Sequence, residues 1–125
     1  PPVVSADRST EADFNARFGP TLGPSCWSDF SQKRLTADKA TRVNQRIADK
    51  WPAIRAAISA ISLHADMLSQ ALKAAKAPKT PEDLGWPHAS YQVAVRHARE
   101  IRNRYTFLDL AADASLLDAM IPEIT

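Results

Sequence analysis

A chain of 125 residues is of single-domain size, and at that length it can bury roughly two-thirds of its unfolded surface in one core. Its 16 Lys and Arg against 14 Asp and Glu leave a formal net charge of +2, too balanced for bulk electrostatics to argue for a nucleic-acid or anionic-membrane partner. The single cysteine, Cys26, allows no intrachain disulfide and reads as a small buried hydrophobe of a cytoplasmic protein. The apolar stretch from Ala56 to Leu63 is far below the roughly 18 to 20 residues of a transmembrane helix, so no membrane insertion is expected.

The opening PPVVSADRST has no initiator methionine, basic n-region or apolar h-region. It is expected to be an extended segment over residues 1–9, not a secretory signal, and the start of a piece of a longer protein. A single α-helical domain is expected over residues 10–125. Thr10 with Asp13 predicts an N-cap and an acid in the first turn of a short helix carrying Phe14 and Phe18, which Gly19-Pro20 stops. A second short helix is expected from Pro24 through Trp27 and Phe30 to about Lys33. Thr36 caps a longer one, with Ala40, Val43, Ile47 and Trp51 in one stripe and Asp38, Arg42, Arg46 and Asp49 opposite. The stripe continues in phase through Ile54, Ile58 and Ile61, so Pro52 either opens a new helix or kinks a continuous one near Ala48.

A further helix from Asp66 to about Lys76 is expected to bury Met67, Leu68 and Leu72. Pro78, Pro81, Gly85 and Pro87 punctuate the next segment. Within it, Thr80-Pro81-Glu82-Asp83 is a helix start, and Gly85 ends that single turn. A helix from about His88 to Arg104 follows, with a buried stripe of Tyr91, Ala94, Val95, Ala98, Ile101 and Tyr105. Thr106 with Asp109 then opens the last helices, through Leu108, Leu110, Leu116, Leu117 and Ile121. Strand signals are nearly absent, and the fold class is all-α, an orthogonal bundle of about six to eight helices.

Three glycines, Gly19, Gly23 and Gly85, each flanked by proline or placed at a helix end, cannot build a phosphate-cradling loop, and the strand that must precede one is missing. His64, His88 and His97 have no partner at metal-ligand spacing apart from His97 with Glu100, which reads as a structural or solvated pair. No nucleophile triad is supported, since Cys26 has no nearby histidine in sequence. The chain therefore offers no catalytic, cofactor-binding or metal-ligating residue of its own.

The runs APKTPEDLGW, from Ala77 to Trp86, and HAREIRNRYTFLDL, from His97 to Leu110, resemble the C-terminal signature of sn-glycerol-1-phosphate dehydrogenases. These belong to the dehydroquinate synthase-like group with glycerol dehydrogenase and iron-containing alcohol dehydrogenases. FGPTLGPSCWSDF and IADKWPAIRAAI are similar to the helical region before that signature, so the resemblance covers about Asp13 to Leu117. It implies a parent with an N-terminal nucleotide-binding domain, NAD(P), a divalent metal, usually zinc, and reduction of dihydroxyacetone phosphate to sn-glycerol 1-phosphate. It implies for this chain a supporting C-terminal helical subdomain of a homo-oligomer, because the family's metal ligands, one aspartate and two histidines, map upstream. The alternative is a stand-alone helical protein-interaction module derived from that domain.

One residue of the signature is odd. At about 100° per residue, Arg102 falls inside the expected stripe between Val95 and Ala98, where an arginine needs a partner. It is expected to form a structural ion pair, with Asp109 the candidate, or an anion site for a substrate phosphate or a partner carboxylate. Arg96 and Arg99 fall on the outer face, Glu100 and Asn103 can stay wet, and Val93 marks an apolar patch on this chain that an interface would cover.

Overall fold

The computed structural model describes residues 1–122 and the backbone of residue 123; residues 124 and 125 of the expected domain lie outside the described residues. Among the described residues six α-helices follow the extended segment: α1 Glu11–Lys33, α2 Ala37–Ile61, α3 Ala65–Ala74, α4 His88–His97, α5 Phe107–Asp113 and α6 Leu117–Met120. Short 3-10 turns cover Glu82–Leu84, Ala98–Ile101 and Ile121–Glu123. The described residues contain no strand, so the all-α class holds.

α1 is two helical arms joined at Gly19, whose φ of 76° is open to glycine and costly for other residues. Helix resumes at once at Pro20, so the second arm starts four residues before the expected Pro24. Folding back is possible because Gly23 has no side chain: a Cβ there would lie 2.3 Å from Asn15 Oδ1 and 2.7 Å from Asn15 Cα. Thr10 caps the first arm through a capping box with Asp13, donating its backbone N–H to Oδ2 at 2.7 Å.

α2 begins at Thr36, whose hydroxyl accepts from the Lys39 N–H, and it runs unbroken through Pro52. Its stripe meets the extended segment. Val4, Leu35, Ala40 and Ile47 form a buried cluster flanked by Val43, Trp51, Leu110 and Ala114. Asn44 fixes the segment's register, accepting from Val4 N–H and donating to Val4 O, both at 2.8 Å. Ser5 N–H donates to Asp113 O at 2.8 Å and Asp7 N–H to Leu35 O at 3.0 Å, which ties the same segment to α5 and to the α1–α2 joint.

Beyond Trp51 the stripe leaves the core: Ile61 is exposed, and so are Met67, Leu68 and Leu72, which were expected to be the buried side of α3. Amphipathic spacing shows that a helix has an apolar face, not that the same chain supplies its cover. α4 departs from expectation in length. It ends at His97, tightens into a 3-10 turn and is extended at Arg102, with φ −155° and ψ 160°. The expected 88–104 stripe is therefore broken, leaving Ala94, Ile101 and Tyr105 exposed.

Candidate functional site

The buried charges converge where the extended segment, α1, the 98–101 turn and α5 meet. Thr106 caps α5 through a capping box with Asp109, whose Oδ2 accepts from Thr106 N–H at 2.7 Å and from its hydroxyl at 2.9 Å. The other oxygen faces inward. Asp109 Oδ1 pairs with Lys33 Nζ at 2.7 Å and Arg99 Nη1 at 3.4 Å, and its side chain is 1% exposed. Lys33 Nζ also donates to Arg99 O at 2.6 Å and Arg104 O at 3.0 Å, fixing the chain after α4.

Arg99 is the hub. Its Nη2 meets Asp7 Oδ2 at 2.9 Å and its Nη1 lies 3.8 Å from Asp113 Oδ1. Its guanidinium also stacks 5.1 Å from the Phe30 ring centroid. Phe30 belongs to an aromatic group with Phe14, Phe18 and Trp27, in which Phe14 and Phe30 are fully buried. Tyr105 hydroxyl donates to Asp113 Oδ2 at 2.8 Å.

Three carboxylates, Asp7, Asp109 and Asp113, thus surround two cations, and Asp7 and Asp113 are shifted in opposite directions. Burial opposes ionisation of Asp7, but hydrogen bonds from Ser9 and Arg99 outweigh it and hold the carboxyl below its ordinary range. Burial dominates at Asp113 and, reinforced by the charges of Asp7 and Asp109, raises its pKa against the opposing effects of Tyr105 and Arg99. Burial and the bond to Asp113 also push the Tyr105 hydroxyl up. Arg99 is desolvated as well, but its three carboxylates keep it firmly protonated.

Arg102 takes no part in this arrangement. It is exposed, and the partners of Asp109 are Lys33 and Arg99, so the expected Arg102–Asp109 pair is replaced by one formed three residues earlier. The helix supplies the reason, because its α-helical phase stops at His97 and cannot be extrapolated to Arg102. Arg99, expected on the outer face, is the buried arginine, and Glu100, expected to stay wet, is 5% exposed and bound by Arg17. Arg96 is exposed and pairs with Asp118 at 2.9 Å.

Two concave surfaces adjoin the cluster. A polar depression of about 320 Å³ is lined by Arg96, His97, Arg99, Glu100, Ser115 and Asp118. There His97 Nδ1 lies 3.2 Å from Glu100 Oε2, but out of line for a hydrogen bond, and has no other partner among the described residues. An apolar groove of about 460 Å³ is lined by Trp51, Phe107, Leu110, Leu116 and Met120 together with Pro1 and Pro2.

Among the described residues no three His, Cys, Asp or Glu side chains are arranged to hold a metal ion, and the carboxylates that do converge are filled by Lys33 and Arg99. His64 and Cys26 stand apart from the cluster: His64 starts α3 without a side-chain cap bond, and Cys26 is half-buried, less than expected. His88 Nδ1 lies 3.6 Å from Glu82 Oε1 on the surface. No helix among the described residues is long and apolar enough to cross a membrane. Comparison with known protein families, curated proteins and solved structures gave no match.

Proposed function

We propose that this chain is the C-terminal helical domain of a cytoplasmic, NAD(P)- and metal-dependent enzyme of the sn-glycerol-1-phosphate dehydrogenase type, and that its own role is structural support. One observation carries the reading. The run from His97 to Leu110, on which the resemblance rests, also supplies Arg99, Glu100 and Asp109, the buried charges that knit the domain. A signature of that composition fits a framework, since its buried ionic groups are spent on partners elsewhere in the domain, Asp7, Arg17, Lys33 and Asp113. On this reading the nucleotide, the metal and the reduction of dihydroxyacetone phosphate belong to the N-terminal part of a homo-oligomeric parent.

The groove of Trp51, Phe107, Leu110, Leu116 and Met120 supports the contact this role requires, because Phe107 is 67% exposed and Leu116 50%. It also favours a second reading, a free-standing module that docks a different protein there. Capture of the native protein with an antibody against this chain separates the two. Reduction of dihydroxyacetone phosphate by NADH or NADPH, eluting with a species much larger than 13.7 kDa, is the expected result. A species of that smaller mass without reductase activity would contradict it.

A further inference from the structure

The end of α2, together with α3, forms an arm whose apolar side is open: Ile61 is 85% exposed, Met67 55%, Leu68 49% and Leu72 42%. At about 100° per residue, positions 67, 68, 71 and 72 fall on one arc of roughly 140°, with Asp66, Ser69, Gln70 and Lys73 on the other side. The charge of the arm is unlike that of the whole chain. Residues 50–79 carry five cations, Lys50, Arg55, Lys73, Lys76 and Lys79, against Asp66 alone, leaving eleven of the 16 basic and thirteen of the 14 acidic residues elsewhere. A near-neutral total hides a segment of net charge +4.

Three of those cations are gathered. Lys73, Lys76 and Lys79 line one depression of about 360 Å³ at the end of α3. Its carboxylate, Asp83, is engaged by the backbone N–H groups of Lys79 and Thr80 at 2.8 and 3.1 Å. Lys76 sits at φ 54°, in a helix-ending turn that normally selects glycine. The fold holds a lysine there against its backbone preference.

We propose that α3 docks on the surface of an anionic lipid bilayer, lying in the interface with its apolar arc toward the acyl chains and its lysines on the headgroup phosphates. Charge complementarity selects this occupant. A second copy seated on the apolar arc would cover Met67, Leu68 and Leu72 but offer nothing to the lysines gathered at the end of α3. A leaflet negative over its whole area meets both features of the arm at once, and the inference is independent of the proposed enzyme.

The test is sedimentation of the full chain with vesicles of equimolar phosphatidylcholine and phosphatidylserine, beside vesicles of phosphatidylcholine alone. Binding is expected to the anionic vesicles only, and to fall about tenfold or more in Lys73→Gln/Lys79→Gln and in Leu68→Gln/Leu72→Gln. All four positions are exposed, so both variants keep the parent's helical circular dichroism. Absence of binding to the anionic vesicles, equal binding to both kinds, or indifference to the leucine pair would overturn the proposal. So would light scattering that finds a dimer in water and its loss in Leu68→Gln/Leu72→Gln, which assigns the face to a second copy.

Discussion

Arg99 and Asp7 are 92 residues apart in sequence and 2.9 Å apart in space, Nη2 to Oδ2, with their side chains 10% and 8% exposed. The contact joins the extended segment to the turn after α4, two pieces with little local structure of their own. Asp7→Ala leaves Arg99 with Asp109 and Asp113 and removes the bond to Ser9 N–H, so a loss of about 1–3 kcal/mol is expected. Amide exchange at Ser5 and Asp7 should quicken before exchange in α1, because their N–H bonds to Asp113 O and Leu35 O depend on the segment staying docked. Unchanged exchange at these two amides would show that the ion pair does not hold the segment.

The two carboxylates act oppositely with pH. Asp7 has a folded pKa below its ordinary 3.8, so the stability it contributes is present above that value and is lost as pH falls through the depressed one. Asp113 has a folded pKa above 3.8, so it favours the folded state at low pH and loses that contribution as pH rises from 3.8 through the raised value. Asp113→Asn, which can keep an oxygen for the Tyr105 hydroxyl, should therefore unfold at least as high as the parent at neutral pH. Asp7→Asn should unfold lower. Thermal melts of both at neutral pH check the signs, and a destabilised Asp113→Asn beside an unaffected Asp7→Asn would reverse the assignment.

Helix starts were legible in the sequence because capping is local. Thr10 with Asp13, Thr36, Thr80 with Asp83 and Thr106 with Asp109 all make the bonds their spacing implies. The helix ends were less legible. Gly19 and Gly85, legible as stops, both take a positive φ, whereas Lys76 and Ser115 adopt the same backbone without a glycine to mark it. The switch to a 3-10 turn after His97 has no proline or glycine near it, and that single change moved the buried arginine from position 102 to 99. Asp109 is legible through its cap, and Asp113, one turn further along α5, shares its face by spacing alone. Lys33, Asp7 and Tyr105 join them by tertiary contact, which no spacing encodes.

The unmarked turns give a stability prediction of their own. Lys76→Gly and Ser115→Gly relieve a left-handed conformation and should each stabilise the chain by up to about 1 kcal/mol, in contrast to the loss glycine causes elsewhere in a helix. Gly23→Ala should do the reverse, because its methyl would enter the space of Asn15 backbone atoms, and such overpacking typically costs about 1–3 kcal/mol. Urea midpoints of the three variants are the measurement. Destabilisation by both glycine substitutions would mean that side-chain contacts of Lys76 and Ser115 outweigh their backbone strain.

Two arginines three positions apart separate a buried framework from a solvated helix end. If the ionic cluster is the framework of this domain, Arg99→Ala strands Asp7 and Asp113 and deprives Asp109 of one of two cations, and removal of one partner from such a buried network costs about 3–5 kcal/mol. Arg102→Ala, at an exposed position, should stay within about 0.5 kcal/mol of the parent. Calorimetric unfolding of the two variants beside the parent is the deciding measurement. A large fall in melting temperature is expected for Arg99→Ala alone; equal small shifts, or a larger one for Arg102→Ala, would show that the cluster does not hold the domain together.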